Sequence, residues 1–161
     1  MPKQTQAPRT RLAGFTLIEL MIAVVILGIL GTIAATAYTS EVKKSRRTDA
    51  RTALLDLAAR EEKLFSTTNA YTSSPLALGI SSATTFPTAG VSVGSGYYTV
   101  NVAVPDTAQA SAAGTYALTA TPVATGPQAA DTQCTTLAVN QLGVQSSTGT
   151  GTAATCWGTS N

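Results

Sequence analysis

The chain has 161 residues, 44% of them hydrophobic and only 11% charged, with two cysteines and no histidine. That length fits one domain with one core, and the lack of histidine removes imidazole acid–base catalysis and leaves too few soft ligands for a zinc site. The formal net charge of +2 belongs to the first 14 residues, which carry Lys3, Arg9 and Arg11 and no acid; the rest holds seven Lys or Arg against eight Asp or Glu and is nearly neutral, which disfavours nucleic acid as a partner.

Residues 1–14 read as a short basic tether on the cytoplasmic face of a membrane, outside the fold. A secretory signal places its apolar core before a small-residue cleavage site. Here the basic segment ends at Gly14, and the apolar run Phe15-Thr16-Leu17-Ile18-Glu19-Leu20-Met21-Ile22 continues to Ala37. From Leu20 to Ser40 there are 21 residues without a charge, enough for a helix to cross a hydrocarbon core of ~30 Å. The one charge at its start, Glu19, would cost on the order of 2.5–3.5 kcal/mol inside hydrocarbon. Two readings account for it. Cleavage after Gly14 would give Phe15 a new α-amine to pair with a carboxylate four residues away. Alternatively, Glu19 sits in the first helical turn and favours the positive end of the dipole.

The sequence Gly14-Phe-Thr-Leu-Ile-Glu-Leu-Met resembles the class III signal of type IV pilins and the related pseudopilins. That resemblance implies cleavage after Gly14 by a prepilin peptidase, N-methylation of Phe15 by the same enzyme, and use of Glu19 in filament assembly. Phe15 points to the type IVa branch, whose leaders are usually shorter than 14 residues.

Just beyond the span lie Lys43, Lys44, Arg46, Arg47 and Arg51, which outnumber the basic residues of the leader. The positive-inside rule alone would place them in the cytoplasm. The paired cysteines and the prepilin resemblance oppose this, and the head is read as periplasmic. The cluster serves either lipid headgroups and the acids of neighbouring subunits, or merely forms a solvated helix face. Ala50, Ala53, Leu54, Leu57, Ala58, Leu64 and Phe65 then fall on helical spacing, with Glu61 the polar interruption. No proline occurs between Arg11 and Ser74, and Asp56 and Arg60 form an i,i+4 pair. One helix is therefore expected over residues 15–66, about 78 Å long, with residues 15–40 as the transmembrane and assembly half and 41–66 as the amphipathic half. Gly28 and Gly31 offer close helix contact or a weak point. Many type IVa pilins carry a proline shortly after this point; this chain has Thr36 and Ala37 there, so a helix kink does not carry over.

Residues 67–161 read as a globular head. A long connecting segment from Ser66 to Gly96, with room for a short strand or turn, is expected to be pinned by Tyr71, Leu76, Leu78 and Ile80. Strands follow at Tyr97–Val104 and Thr115–Thr121, ended by Pro105 and Pro122, with a third near Thr135–Asn140, a turn at Gly143, and a fourth short element near Val144 or Trp157. The fold class is α+β: a long N-terminal helix packed on an antiparallel sheet of about four strands.

Cys134 and Cys156 enclose 21 residues, and their closure would stabilise the head by roughly 3 kcal/mol. A disulfide is the favoured reading, free thiols the alternative. The stretch from Asp131-Thr-Gln-Cys134 through Leu137, Asn140-Gln141 and Gly143 to Cys156-Trp157, together with Lys44-Ser45-Arg46-Arg47 and Asp49-Ala50, resembles minor pilins of the PilE type. After Phe65 the only acids are Asp106 and Asp131, each read as a turn residue. No basic residue follows Lys63, which disfavours DNA capture by the head.

The sequence thus points to a non-enzymatic pilus subunit without cofactor or metal, acting in assembly and hence adhesion or twitching motility. Its partners would be other pilin subunits, the prepilin peptidase, the inner-membrane assembly machinery and, before assembly, the membrane itself. A major pilin, a type II secretion pseudopilin and a simple membrane-anchored domain are the alternatives.

Overall fold

The computed structural model describes residues 14–104 and 114–159, and the chain divides into two compact units, one up to Thr39 and one from Ser40. Helix α1 spans Leu17–Thr68. Within the second unit its buried residues are Arg47, Ala50, Leu54, Leu57 and Glu61, spaced alternately by three and four. That spacing keeps all five on one face. Ala50, Leu54 and Leu57 join one core with the inward residues of the sheet. On the outer face Arg60 Nε and Asp56 form the expected i,i+4 pair at 2.7 Å, worth only a few tenths of a kcal/mol.

The sheet has five strands, one more than expected: β1 Val91–Val93, β2 Tyr98–Ala103, β3 Ala117–Pro122, β4 Thr136–Asn140 and β5 Gln145–Thr148. They pair antiparallel in sequence order. Alternation buries Tyr98, Val100 and Val102 on β2, Leu118 and Ala120 on β3, and Leu137 and Val139 on β4. Register aligns these residues into rows across the strands, Val91 with Val100, then Ala120, then Leu137, and beside it Val102 with Leu118, then Val139. These rows lay an apolar surface against the stripe of α1.

Several sequence expectations are corrected. The extra strand, β1, lies inside the connecting segment, where the sequence left room for a short strand or turn. Pro122 is the last residue of β3, opposite Tyr98, and not a terminator beyond it; proline is tolerated at a strand end where no ladder donor is required. Leu76 is exposed, whereas Tyr71 and Leu78 are buried and Ile80 is half-buried. Pro105 and Asp106 lie outside the described residues.

Both candidates for the last element exist, β5 and a short helix α2 at Ala153–Trp157. Thr152 caps α2 by accepting the Thr155 N–H, and Gly158 ends it at φ 68°. Cys134 and Cys156, both wholly buried, form a disulfide that fastens α2 to the start of β4. Trp157 adds a second attachment, its Nε1–H donating to the Ser146 carbonyl at 2.8 Å. Gly149 is fixed by space as well as by its φ of 120°, since a Cβ there would lie 2.4 Å from the Gln133 carbonyl oxygen.

Candidate functional site

In the first unit Thr16 precedes the first helical residue, and its Oγ1 accepts the Glu19 N–H at 3.3 Å. Thr16-Leu-Ile-Glu19 is thus an N-cap with an acid at the third helical position, the spacing of a capping box. Glu19 lies in the first turn, where the exposed N–H groups favour a negative charge. Both sequence readings of Glu19 start from this placement. Phe15, at 84% exposure, stands immediately before the cap, and nothing lies within 4 Å of where a Gly14 Cβ would be. Gly28 and Gly31 are equally open.

Beyond this turn the large apolar side chains from Leu17 to Tyr38 are all exposed, and none of the apolar span is buried. Transfer of such a surface into hydrocarbon or against other apolar helices is favourable at about 25 cal/mol per Å². The span therefore needs cover that the described residues of its own unit do not supply.

In the second unit the basic cluster is mostly consumed by the head. Arg47 is the decisive case: its Nε and Nη2 both meet the Asp131 carboxylate at 2.7 Å, and Nη2 also donates to Gln133 Oε1 at 3.1 Å. Both partners of this ion pair are buried. Asp131, read from sequence as a turn residue, does close a turn, its N–H donating to the Gln128 carbonyl at 2.9 Å, and is also the counter-ion that lets α1 bury a guanidinium. Burial alone would raise its carboxyl, but the Arg47 hydrogen bond and charge, with the Cys134 and Gln133 N–H groups, hold it below the usual carboxylate range. The same hydrogen bond raises Arg47. Gln128 completes the network, its Nε2 donating to Asp131 Oδ2 at 2.9 Å and to the Tyr98 hydroxyl at 3.0 Å. Burial pushes that hydroxyl up to about 12.

The other cations are also engaged. Lys43 Nζ donates to the Ala130 carbonyl, Lys44 pairs with Glu41 at 2.6 Å, and the Arg46 guanidinium sits 4.5 Å over the Tyr97 ring. Arg51 Nε donates to the Cys156 carbonyl at 2.9 Å, near the C-terminal end of α2 where a cation is favoured. Among the described residues no group of three or more acids, cysteines and histidines is arranged to hold a metal ion.

The family model of the type IV minor pilin ComP, DNA uptake sequence receptor, matches residues 36–138. The chain belongs to this family. A second model, the prokaryotic N-terminal methylation motif, matches residues 9–35, the stretch that contains Gly14, Phe15 and Glu19. A solved type IV pilin from Shewanella oneidensis is 24% identical over 64% of this chain and 89% of its own, with a TM-score of 0.40. No curated protein matches. The minor-pilin family and the helix-on-sheet fold agree with the α+β pilin expected from the sequence. Arg47 and Asp131 are what sequence reasoning missed in the head.

Proposed function

We propose that this chain is a minor subunit of a type IV pilus, cleaved after Gly14, N-methylated at Phe15 and anchored in the inner membrane by residues 15–40 with residues 67–161 in the periplasm, until it passes into a filament. The observation that carries this is the coincidence of the methylation motif with an apolar helical stretch whose large side chains are all exposed among the described residues. Lipid covers that stretch before assembly, and neighbouring helices cover it afterwards. In the filament Glu19 pairs with the methylated Phe15 amine of an adjacent subunit, a charge pair that hydrocarbon surroundings strengthen. The PilE-like features of the head support its place among the minor subunits, and the pilus places it in adhesion or twitching motility.

Quantitative mass spectrometry of sheared filaments, on cells carrying the natural chain or Glu19→Ala, tests this. The natural chain is expected in filaments at trace stoichiometry, beginning at methylated Phe15; the variant is expected to be processed, retained in membranes and missing from filaments. Dominance of the chain in filaments would make it the major pilin. Maturation in the membrane with no filament incorporation would favour a pseudopilin, and normal incorporation of Glu19→Ala would remove the charge-pairing argument.

The family match favours a second reading, in which the head captures DNA. Its charge sets the terms: of the seven cations after Gly14 only Arg47 is buried, Lys43, Lys44, Arg46, Arg51, Arg60 and Lys63 keep part of their side chains toward solvent, and no other cation follows. With at most about six phosphates neutralised, the slope of log K against log salt is expected to be no steeper than about −5. Gel retardation of duplex DNA by the detergent-solubilised chain at several salt concentrations measures it. Tight binding with a steeper slope would overturn the charge argument and establish the receptor reading.

A further inference from the structure

Glu61 occupies a position on the core-facing stripe of α1 where an apolar side chain would be ordinary, and it is wholly buried. Its Oε2 accepts the backbone N–H of Thr72 at 3.1 Å, while Oε1 has no partner among the described residues. Beside it, Glu62 Oε1 accepts the Tyr71 hydroxyl at 2.9 Å. The Tyr71 ring stacks on Phe65 at 4.6 Å and meets Tyr116 edge-on at 4.7 Å. The chain reverses between these contacts at Asn69, held at φ 56°, a left-handed conformation that asparagine tolerates. Two adjacent carboxylates at the end of α1 thus hold the start of the segment from Ala70 to Ile80.

An ionised Glu61 would be poorly satisfied there, with one N–H donor for two oxygens. The groups facing it are Glu62 from α1, the Tyr71 hydroxyl from the segment and the Tyr116 hydroxyl just before β3. Burial and the two carboxylates push both phenols up, so neither supplies compensating charge. No Lys or Arg follows Lys63, so neither the segment nor the sheet can bring a counter-ion. Arg60 is already held by Asp56 and the Leu78 carbonyl.

We propose that Glu61 is a protonation latch: with its carboxyl neutral, the segment from Ala70 to Ile80 lies closed on α1 and Tyr116, and its ionisation releases the segment so that water reaches the carboxylate. Burial, partly offset by the Thr72 N–H and reinforced by Glu62, moves Glu61 up from 4.5 to about 7. Closing therefore takes up a proton. The closed form is fully favoured below about pH 4.5, loses stability as pH rises toward about 7, and changes no further above that. Within that window the opening equilibrium rises by up to about tenfold per pH unit.

Hydrogen exchange by mass spectrometry on the full chain in detergent, from pH 5 to pH 8, reads the latch directly. After division by intrinsic rates, peptides covering 69–80 are expected to lose protection by roughly 10²-fold between pH 5 and 7 and then level off, while β3 peptides stay flat. Glu61→Gln is expected to keep the segment protected at every pH. Unchanged wild-type protection across the range, or a slope in Glu61→Gln equal to that of the natural chain, would overturn the latch. Should Glu61→Gln not fold, Glu62→Gln decides. Removing that neighbouring charge is expected to move the upper edge of the window to lower pH, and a profile identical to the natural one would overturn the latch.

Discussion

Asp131→Ala is expected to destabilise the head by about 3–5 kcal/mol, because it leaves the Arg47 guanidinium buried without a counter-ion. Against a total of roughly 5–15 kcal/mol for a domain, that loss brings the head close to unfolding. Denaturant titration followed by the single, buried Trp157 measures it. The pair itself is not the source of the stability, since desolvating two charges offsets most of their attraction. Arg47→Met combined with Asp131→Leu is accordingly expected to recover most of the loss. Recovery stays incomplete because Gln128 and Gln133 then lose the partners they have in Asp131 and Arg47. The acid response has a definite sign: with Asp131 held below its ordinary value of 3.8, the contribution is present above that pH and fades as pH falls through the depressed value. A double variant as unstable as Asp131→Ala would mean that shape, and not uncompensated charge, sets the cost.

The helical elements were legible because their signals are long and periodic. The span from Leu20 to Ser40 has no charge, and the stripe through Ala50, Leu54 and Leu57 repeats at three and four. Strands β2, β3 and β4 were legible for the same reason at period two. What was placed without its type or bounds was short or fixed by distant contacts. β1 has three residues, too few to display an alternation, and α2 has five, held by caps and the disulfide where propensity alone would not form a helix. Extending the stripe back one turn from Ala50 does reach Arg47, so a buried arginine could have been read from the pattern. Its partner could not, because Asp131 lies 84 residues away in a loop and carries no mark of its role. At the N-terminus the situation reverses: the cleavage and assembly assignments rest almost wholly on motif, and the capping geometry at Thr16 and Glu19 adds only a placement.

Replacing Cys134 and Cys156 together by serine is expected to cost about 3 kcal/mol and to free α2 before the rest of the head unfolds. The magnitude follows from the loop, since a closure spanning 22 positions removes that much entropy from the unfolded chain. The order of events follows from where the bridge lies. β4 and β5 are tied into the sheet by their ladder, whereas α2 is held by the disulfide, the Arg51 bond to the Cys156 carbonyl and the Trp157 bond to Ser146. Without the bridge, α2 is too short to persist by itself. Trp157 fluorescence should then shift to the red at denaturant concentrations where far-ultraviolet circular dichroism is still native. The intact chain is expected to resist reductant until denaturant is added, because both sulfurs are wholly buried and thiol exchange requires access to one of them. Coincident fluorescence and dichroism transitions in the serine variant would show that α2 belongs to the same cooperative unit as the sheet, leaving the bridge a purely global role.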